Sequence, residues 1–219
     1  MCINVNILLL TLQIKSILFP KNKLNLSKKI NLQVYLMKII NTFAIVKDSL
    51  YSVQYDTELL NEFAKCFQLW NDPIYLSEFF EQHQEDLNNE FWNGITIEEA
   101  IIKTKEDARL FEEELLYIAE TGKTERLETL STLFEPLSKG VIDENLEKDK
   151  AKGMKRPSWL RIYAIRIEAN IFVVCGGAIK LTPTMNKKDH LILELDKLEF
   201  TRNYLQDEDD ENLEFVESN

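Results

Sequence analysis

Residues 159–167 and 171–175, joined through Ala169-Asn170, constrain this chain more than any other feature. Val, Ile, Phe and Tyr suit a pleated, half-buried surface, and a short polar break between two such runs predicts a tight turn between antiparallel strands. A hairpin this apolar is unstable alone and must be covered by other elements. Gly176-Gly177 interrupts the second run, which predicts a bulge or a close backbone approach. Ile179-Lys180-Leu181 resumes the strand and Pro183 ends it.

The covering elements lie upstream. Residues 43–55 alternate around Lys47-Asp48-Ser49 and predict a first hairpin. Thr57 is placed as the cap of a helix whose apolar positions are Leu59, Leu60, Phe63, Phe67 and Trp70. Asp72-Pro73 opens the next helix, with Ile74, Leu76, Phe79 and Phe80 as its stripe. Thr96 and Glu99 have capping-box spacing and start the longest helix, with Ile97, Ile101, Ala108, Phe111, Leu115 and Ile118 facing inward and Gly122 as its stop. Leu127, Leu130, Leu133, Phe134 and Leu137 predict a further short helix. Residues 139–157 show no period and are expected to be a linker or mobile loop. Leu191, Leu195, Leu198, Arg202 and Leu205 trace one face of a closing helix, and the acidic run from 207 is expected to be a disordered tail. The pattern is α+β: an N-terminal hairpin and helices packed on a small antiparallel sheet, then a C-terminal helix, as one domain over 37–206.

Residues 1–36 differ from the rest. They hold five Lys and no acidic residue, so all 37 Asp and Glu fall in 37–219, which carries a net −16 within a chain of net −11. A signal peptide would have a basic start before its apolar run and a small-residue cleavage site, and neither is present. Gln13, Lys15 and Lys21 interrupt a membrane span too early. The favoured reading is an extension upstream of a start at Met37, with a membrane anchor as the alternative.

Cys2, Cys66 and Cys175 lack metal-ligand spacing, and with His83 and His190 as the only histidines no metal site or cofactor is expected. Nucleophile-elbow, P-loop and dinucleotide motifs are absent. One chemical asymmetry remains. Between 148 and 188 stand Lys148, Lys150, Lys152, Lys155, Arg156, Arg161, Arg166, Lys180, Lys187 and Lys188 against only Asp149 and Glu168. Such cations can hold a phosphodiester and stabilise its transition-state charge, and Trp159, Tyr163 and Tyr204 are candidates for stacking on unpaired bases. Strand alternation puts Arg161 and Arg166 on opposite faces, so an unbulged strand cannot aim both into one cleft. Lys180, between apolar residues after the Gly-Gly break, is the least ordinary cation. His190, at a helix start, is expected to face solvent.

Residues 160–165 (Leu-Arg-Ile-Tyr-Ala-Ile), then Phe172-Val173-Val174 to Ile179-Lys180-Leu181-Thr182, then Arg202-Asn203-Tyr204-Leu205 resemble the closing strands and helix of HigB-type members of the RelE/HigB/ParE toxin superfamily. The resemblance covers about 158–205. It implies a cytoplasmic toxin of a type II toxin–antitoxin system, a metal-independent endoribonuclease acting on mRNA at the ribosome, neutralised by an antitoxin of helix-turn-helix type. Arg161 and Lys180 would be catalytic. Lys155, Arg156, Arg166, Lys187, Lys188, Arg202 and Tyr204 would bind RNA or support the site. Leu181 stands where the family usually has a second lysine, and no His or Glu is placed as a base. Because the superfamily also contains gyrase poisons, a non-enzymatic toxin-like interaction module is the alternative.

Overall fold

The computed structural model describes residues 37–92, 94–125, 127–137, 147–154, 157–183, 188–208 and 216–217. The first hairpin forms as the alternation predicts. Strand β1 (Ile39–Val46) turns through Asp48, whose φ of 61° is the left-handed turn geometry, into β2 (Leu50–Tyr55). Helix α1 spans Glu62–Asn71 and is capped by Asn61, whose side chain accepts from the Ala64 N–H, rather than by Thr57. The chain is still turning at 56–57, so Leu59 lies outside the helix and is 96% exposed. Asp72 caps α2 (Pro73–Gln82), with proline at the first helical position. A short α3 (Gln84–Leu87) and a 3-10 turn (Glu90–Trp92) lead to α4 (Ile97–Thr121), which carries the full Thr96/Glu99 capping box. Gly122 ends α4 with right-handed geometry; its lack of a side chain serves instead the close approach of Asn170, whose Oδ1 would lie 2.5 Å from a Cβ there. Helix α5 is only Leu130–Leu133, and Leu127 is exposed.

The sheet is larger than a small antiparallel one, and it is mixed. Strands β3 (Glu135–Pro136), β4 (Glu147–Lys152), β5 (Leu160–Glu168), β6 (Ile171–Ile179) and β7 (Val216–Glu217) complete the order β3-β4-β5-β6-β2-β1-β7, in which β2 runs parallel to β6 and β7 parallel to β1. Two expectations are corrected here. Part of the supposed linker 139–157 is strand β4, hidden because its alternation is Lys148-Asp149-Lys150-Ala151-Lys152, with only Asp149 and Ala151 buried. Part of the acidic tail is ordered as well: α6 (Asp189–Glu208) reaches into it, and Val216–Glu217 joins the sheet edge. Residues 1–36 lie outside the described residues.

Helices cover both faces of the sheet. Phe63, Phe67, Trp70, Phe80, Phe111 and Leu115 pack on one face against Leu160, Ile162, Ala164, Phe172 and Val174. Leu191, Leu198 and Leu205 of α6 pack on the other against Tyr163, Ile165, Val173 and Cys175. The predicted bulge is present. Tyr163 pairs with Gly176 and Ala164 with Val174, leaving Cys175 as the extra residue. Among the described residues no helix is long and apolar enough to cross a membrane.

Candidate functional site

Alternation along β4, β5 and the end of β6 gathers cations on the α6 face of the sheet. Lys152 lies opposite Arg161, Arg161 opposite Ala178, and Lys150 opposite Tyr163. Lys180 follows Ala178 by two residues and therefore shares its face. Arg161 and Lys180 line one cleft of about 560 Å³, together with Ser158, Glu90, Phe91 and Thr182. The two cations that the sequence singles out are thus brought together.

Their surroundings hold both side chains in place. Arg161 Nη1 donates to the carbonyls of Ser158 (3.0 Å) and Leu160 (2.6 Å). Lys180 Nζ donates to those of Thr182 (2.7 Å) and Pro183 (2.8 Å). Burial lowers the Lys180 pKa, and Arg161, Lys150 and Lys152 lower it further. Lys150 is lowered by burial, then by Lys152, with Glu135 acting in the opposite direction. Like charges opposed on neighbouring strands destabilise a sheet. Lys152 is partly compensated by Glu135 at 2.6 Å, and Lys150 donates to the Pro136 carbonyl at 3.3 Å.

Beneath the cleft, α4 anchors the start of β5. The Ser158 hydroxyl donates to the buried Asp107 carboxylate, and Trp159 Nε1 donates to Thr104 Oγ1 at 3.0 Å. Gly153 makes room for this, since a Cβ there would collide with both Asp107 and Ser158. On the opposite wall, Trp92 donates to the Leu181 carbonyl at 3.0 Å and packs on Trp159, while Phe91 is 66% exposed.

Other candidates fall elsewhere. Arg166 pairs with Glu147 and lies 3.8 Å from Asp149, away from Arg161 as the alternation requires. Lys188 pairs with Asp86 at 2.5 Å, and Arg202 lies 3.8 Å from Glu199. Tyr204 packs on the core beneath α6. Lys155, Arg156 and Lys187 lie outside the described residues. Two stacking candidates are corrected: Trp159 and Tyr163 are buried and cannot meet a base. His190 does not face solvent; it is half-buried, 3.1 Å from the Ile179 carbonyl and with its ring 4.8 Å from that of His83, and burial lowers its pKa. Phe91 and Glu90, which line the cleft, were not singled out in the sequence. Their signal was the turn-forming Asn89, whose side chain accepts from the N–H groups of Phe91 and Trp92 and turns Trp92 inward and Phe91 outward.

No family model matches the chain, and no curated protein or solved structure matches it.

Proposed function

We propose that the cleft binds single-stranded RNA and cleaves it without a metal, as the toxin of a toxin–antitoxin pair acting on ribosome-bound mRNA in the cytoplasm. The observation that supports this reading is the convergence of Arg161 and Lys180 on one cleft, within the field of Lys150 and Lys152. Arg161 would hold the scissile phosphate, and Lys180 would neutralise charge that develops on its oxygens. Glu90 is the carboxylate on the cleft wall that would take the 2′-hydroxyl proton as the hydroxyl oxygen bonds to phosphorus. The P–O5′ bond would break to leave a 2′,3′-cyclic phosphate and a 5′-oxygen that takes its proton from water. Exposed Phe91 would be the stacking platform. A helix-turn-helix antitoxin would neutralise the toxin. A second reading, a non-enzymatic interaction module, draws support from Ile102 and Tyr117, exposed on the otherwise charged outer face of α4.

The test is induced expression in a bacterial host, scored for growth arrest and for new 5′ ends in polysomal mRNA. Arrest with cleavage by the parent, and neither with equally abundant Lys180→Ala, supports the reading. Glu90→Gln should retain RNA binding and lose cleavage. Arrest without new RNA ends, or an unchanged phenotype in all variants, would transfer the case to the interaction module.

A further inference from the structure

The two histidines of the chain meet where the end of α2, the end of β6 and the start of α6 converge. His83 is the C-cap of α2, and His190 lies in the first turn of α6. Their ring centroids are 4.8 Å apart, and Phe79 packs against them at 4.5 and 5.4 Å. His190 Nε2 lies 3.1 Å from the Ile179 carbonyl. A carbonyl only accepts, so Nε2 carries the hydrogen and Nδ1 keeps its lone pair. His83 Nδ1 lies 3.6 Å from Asp86 Oδ2, the same oxygen that pairs with Lys188 at 2.5 Å. The gap these groups enclose with Leu181, Thr182 and Leu191 is too small for a water molecule.

This arrangement suits two neutral rings. Burial lowers the His83 pKa, Asp86 opposes the fall and Lys188 adds to it. Burial lowers that of His190 as well; the Ile179 carbonyl opposes, while His83 and Lys188 add. A cation in the first turn of α6 also meets the positive end of the helix dipole. Asp86 would balance a proton here, but Lys188 already holds it. Glu194, one turn further along α6, is held by Lys197, and Asp189 is exposed.

Leu181 and Thr182 line this gap on one side and the Arg161–Lys180 cleft on the other. The Leu181 carbonyl accepts from Trp92 Nε1, and that of Thr182 from Lys180 Nζ. We propose that His83 and His190 form an acid-sensitive latch behind the cleft: two neutral rings hold α2, α6 and Leu181–Thr182 together, and protonation of the pair drives them apart. The latch acts whatever the cleft binds, so it stands apart from the RNA reading. The unfolded chain takes up these protons near pH ~6.5 and the folded chain only below it. The stability the latch contributes is therefore complete above that pH and is lost as pH falls through the folded-state midpoints.

Imidazole NMR of the full chain across the histidine range, from about pH 7.5 to about pH 5, tests this. The Trp92 indole N–H signal, assigned by its loss in Trp92→Phe, reports on Leu181. Both histidine midpoints should lie below ~6.5, and the Trp92 signal should move with them. In His83→Phe a single imidazole remains. The His190 midpoint should then rise by about half a pH unit, the separation that two unit charges about 5 Å apart impose in a watery dielectric, and the Trp92 signal should stay still. Should His83→Phe fail to fold, Asp86→Asn, at a half-buried position, should lower the His83 midpoint further. Either parent midpoint at or above ~6.5, a Trp92 signal that ignores pH or still moves in His83→Phe, or a His83 midpoint unmoved in Asp86→Asn would each overturn the proposal.

Discussion

Two lysines on the α6 side of the sheet meet opposite fates. Lys197 is almost wholly buried, and burial alone would lower its pKa, yet Glu194 and Glu62 together raise it. Lys180 is only half-buried, and burial, Arg161, Lys150 and Lys152 all lower it. The deeper lysine is therefore the more firmly charged. The sign of a cation's neighbours outweighs its depth, and the two clusters differ in what they require. Lys197 Nζ lies 3.0 Å from Glu62 and 2.8 Å from Glu194, and these opposite charges hold α1 to α6. The cations of the other cluster are held to the sheet mostly through backbone carbonyls, and burial and their like-charged neighbours lower the pKa of Lys150 and Lys180.

Removing one member should separate the two kinds of cluster most sharply. Lys197→Met leaves Glu62 and Glu194 buried without their shared partner, and is expected to destabilise the fold by about 3–5 kcal/mol in urea unfolding. Arg161→Ala and Lys180→Ala are expected to change stability by less than about 1 kcal/mol. Each should instead lower the slope of log affinity against log salt for single-stranded RNA by about one, the release of roughly one counter-ion. If Lys180→Ala unfolds the protein as readily as Lys197→Met, the distinction fails and the surface cluster is structural too.

How much of this was legible in the sequence follows from which forces are local. Caps, turns and periodicity depend on a few adjacent residues, so the two hairpins, the Asp72-Pro73 helix start, the Thr96/Glu99 box and the Gly176 bulge could be read directly. Alternation likewise separates Arg161 from Arg166. Three features depend on distant partners. Strand β4 looks like a charged loop until Lys148, Lys150 and Lys152 are seen on a half-covered face opposite Ile165, Tyr163 and Arg161. Phe91 looks like core until Asn89 turns it outward. The Glu62–Lys197 pair spans 135 residues and leaves no local pattern.

Asp149 is an intermediate case, a carboxylate on the opposite face of β4 from the lysines. It is buried, neither oxygen has a hydrogen-bond partner, and burial pushes its pKa up to about 6, with Lys150 offsetting part of the shift. The sign follows from proton counting. Above pH 6 both folded and unfolded states hold Asp149 ionised, and the folded state bears a burial cost that Lys150 offsets only in part, with Arg166 Nε 3.8 Å away. Between about pH 6 and pH 4 the folded state binds the proton first, so stability rises as pH falls through that window. Asp149→Asn is thus expected to stabilise by about 1–2 kcal/mol at pH 8, after allowance for solvent screening, and by little at pH 4. A gain that is the same at both pH values would show that charge is not the cause.

The finest test adjusts the surface cluster without removing a cation. Glu135 is 2.6 Å from Lys152 and raises the Lys150 pKa. Its side chain is more than half exposed, so Glu135→Gln should change stability by no more than about 0.5 kcal/mol. The field at the cleft should still become more positive. RNA affinity is expected to rise about two- to threefold at low salt, and the gain to fade near 0.15 M, where the Debye length is about 8 Å. A gain that persists at high salt would mean that Glu135 blocks the cleft sterically, and a loss of affinity would mean that it positions Lys152. Only the salt-sensitive gain fits the proposed reading, in which the positive charge of Arg161, Lys150, Lys152 and Lys180 meets a phosphate backbone.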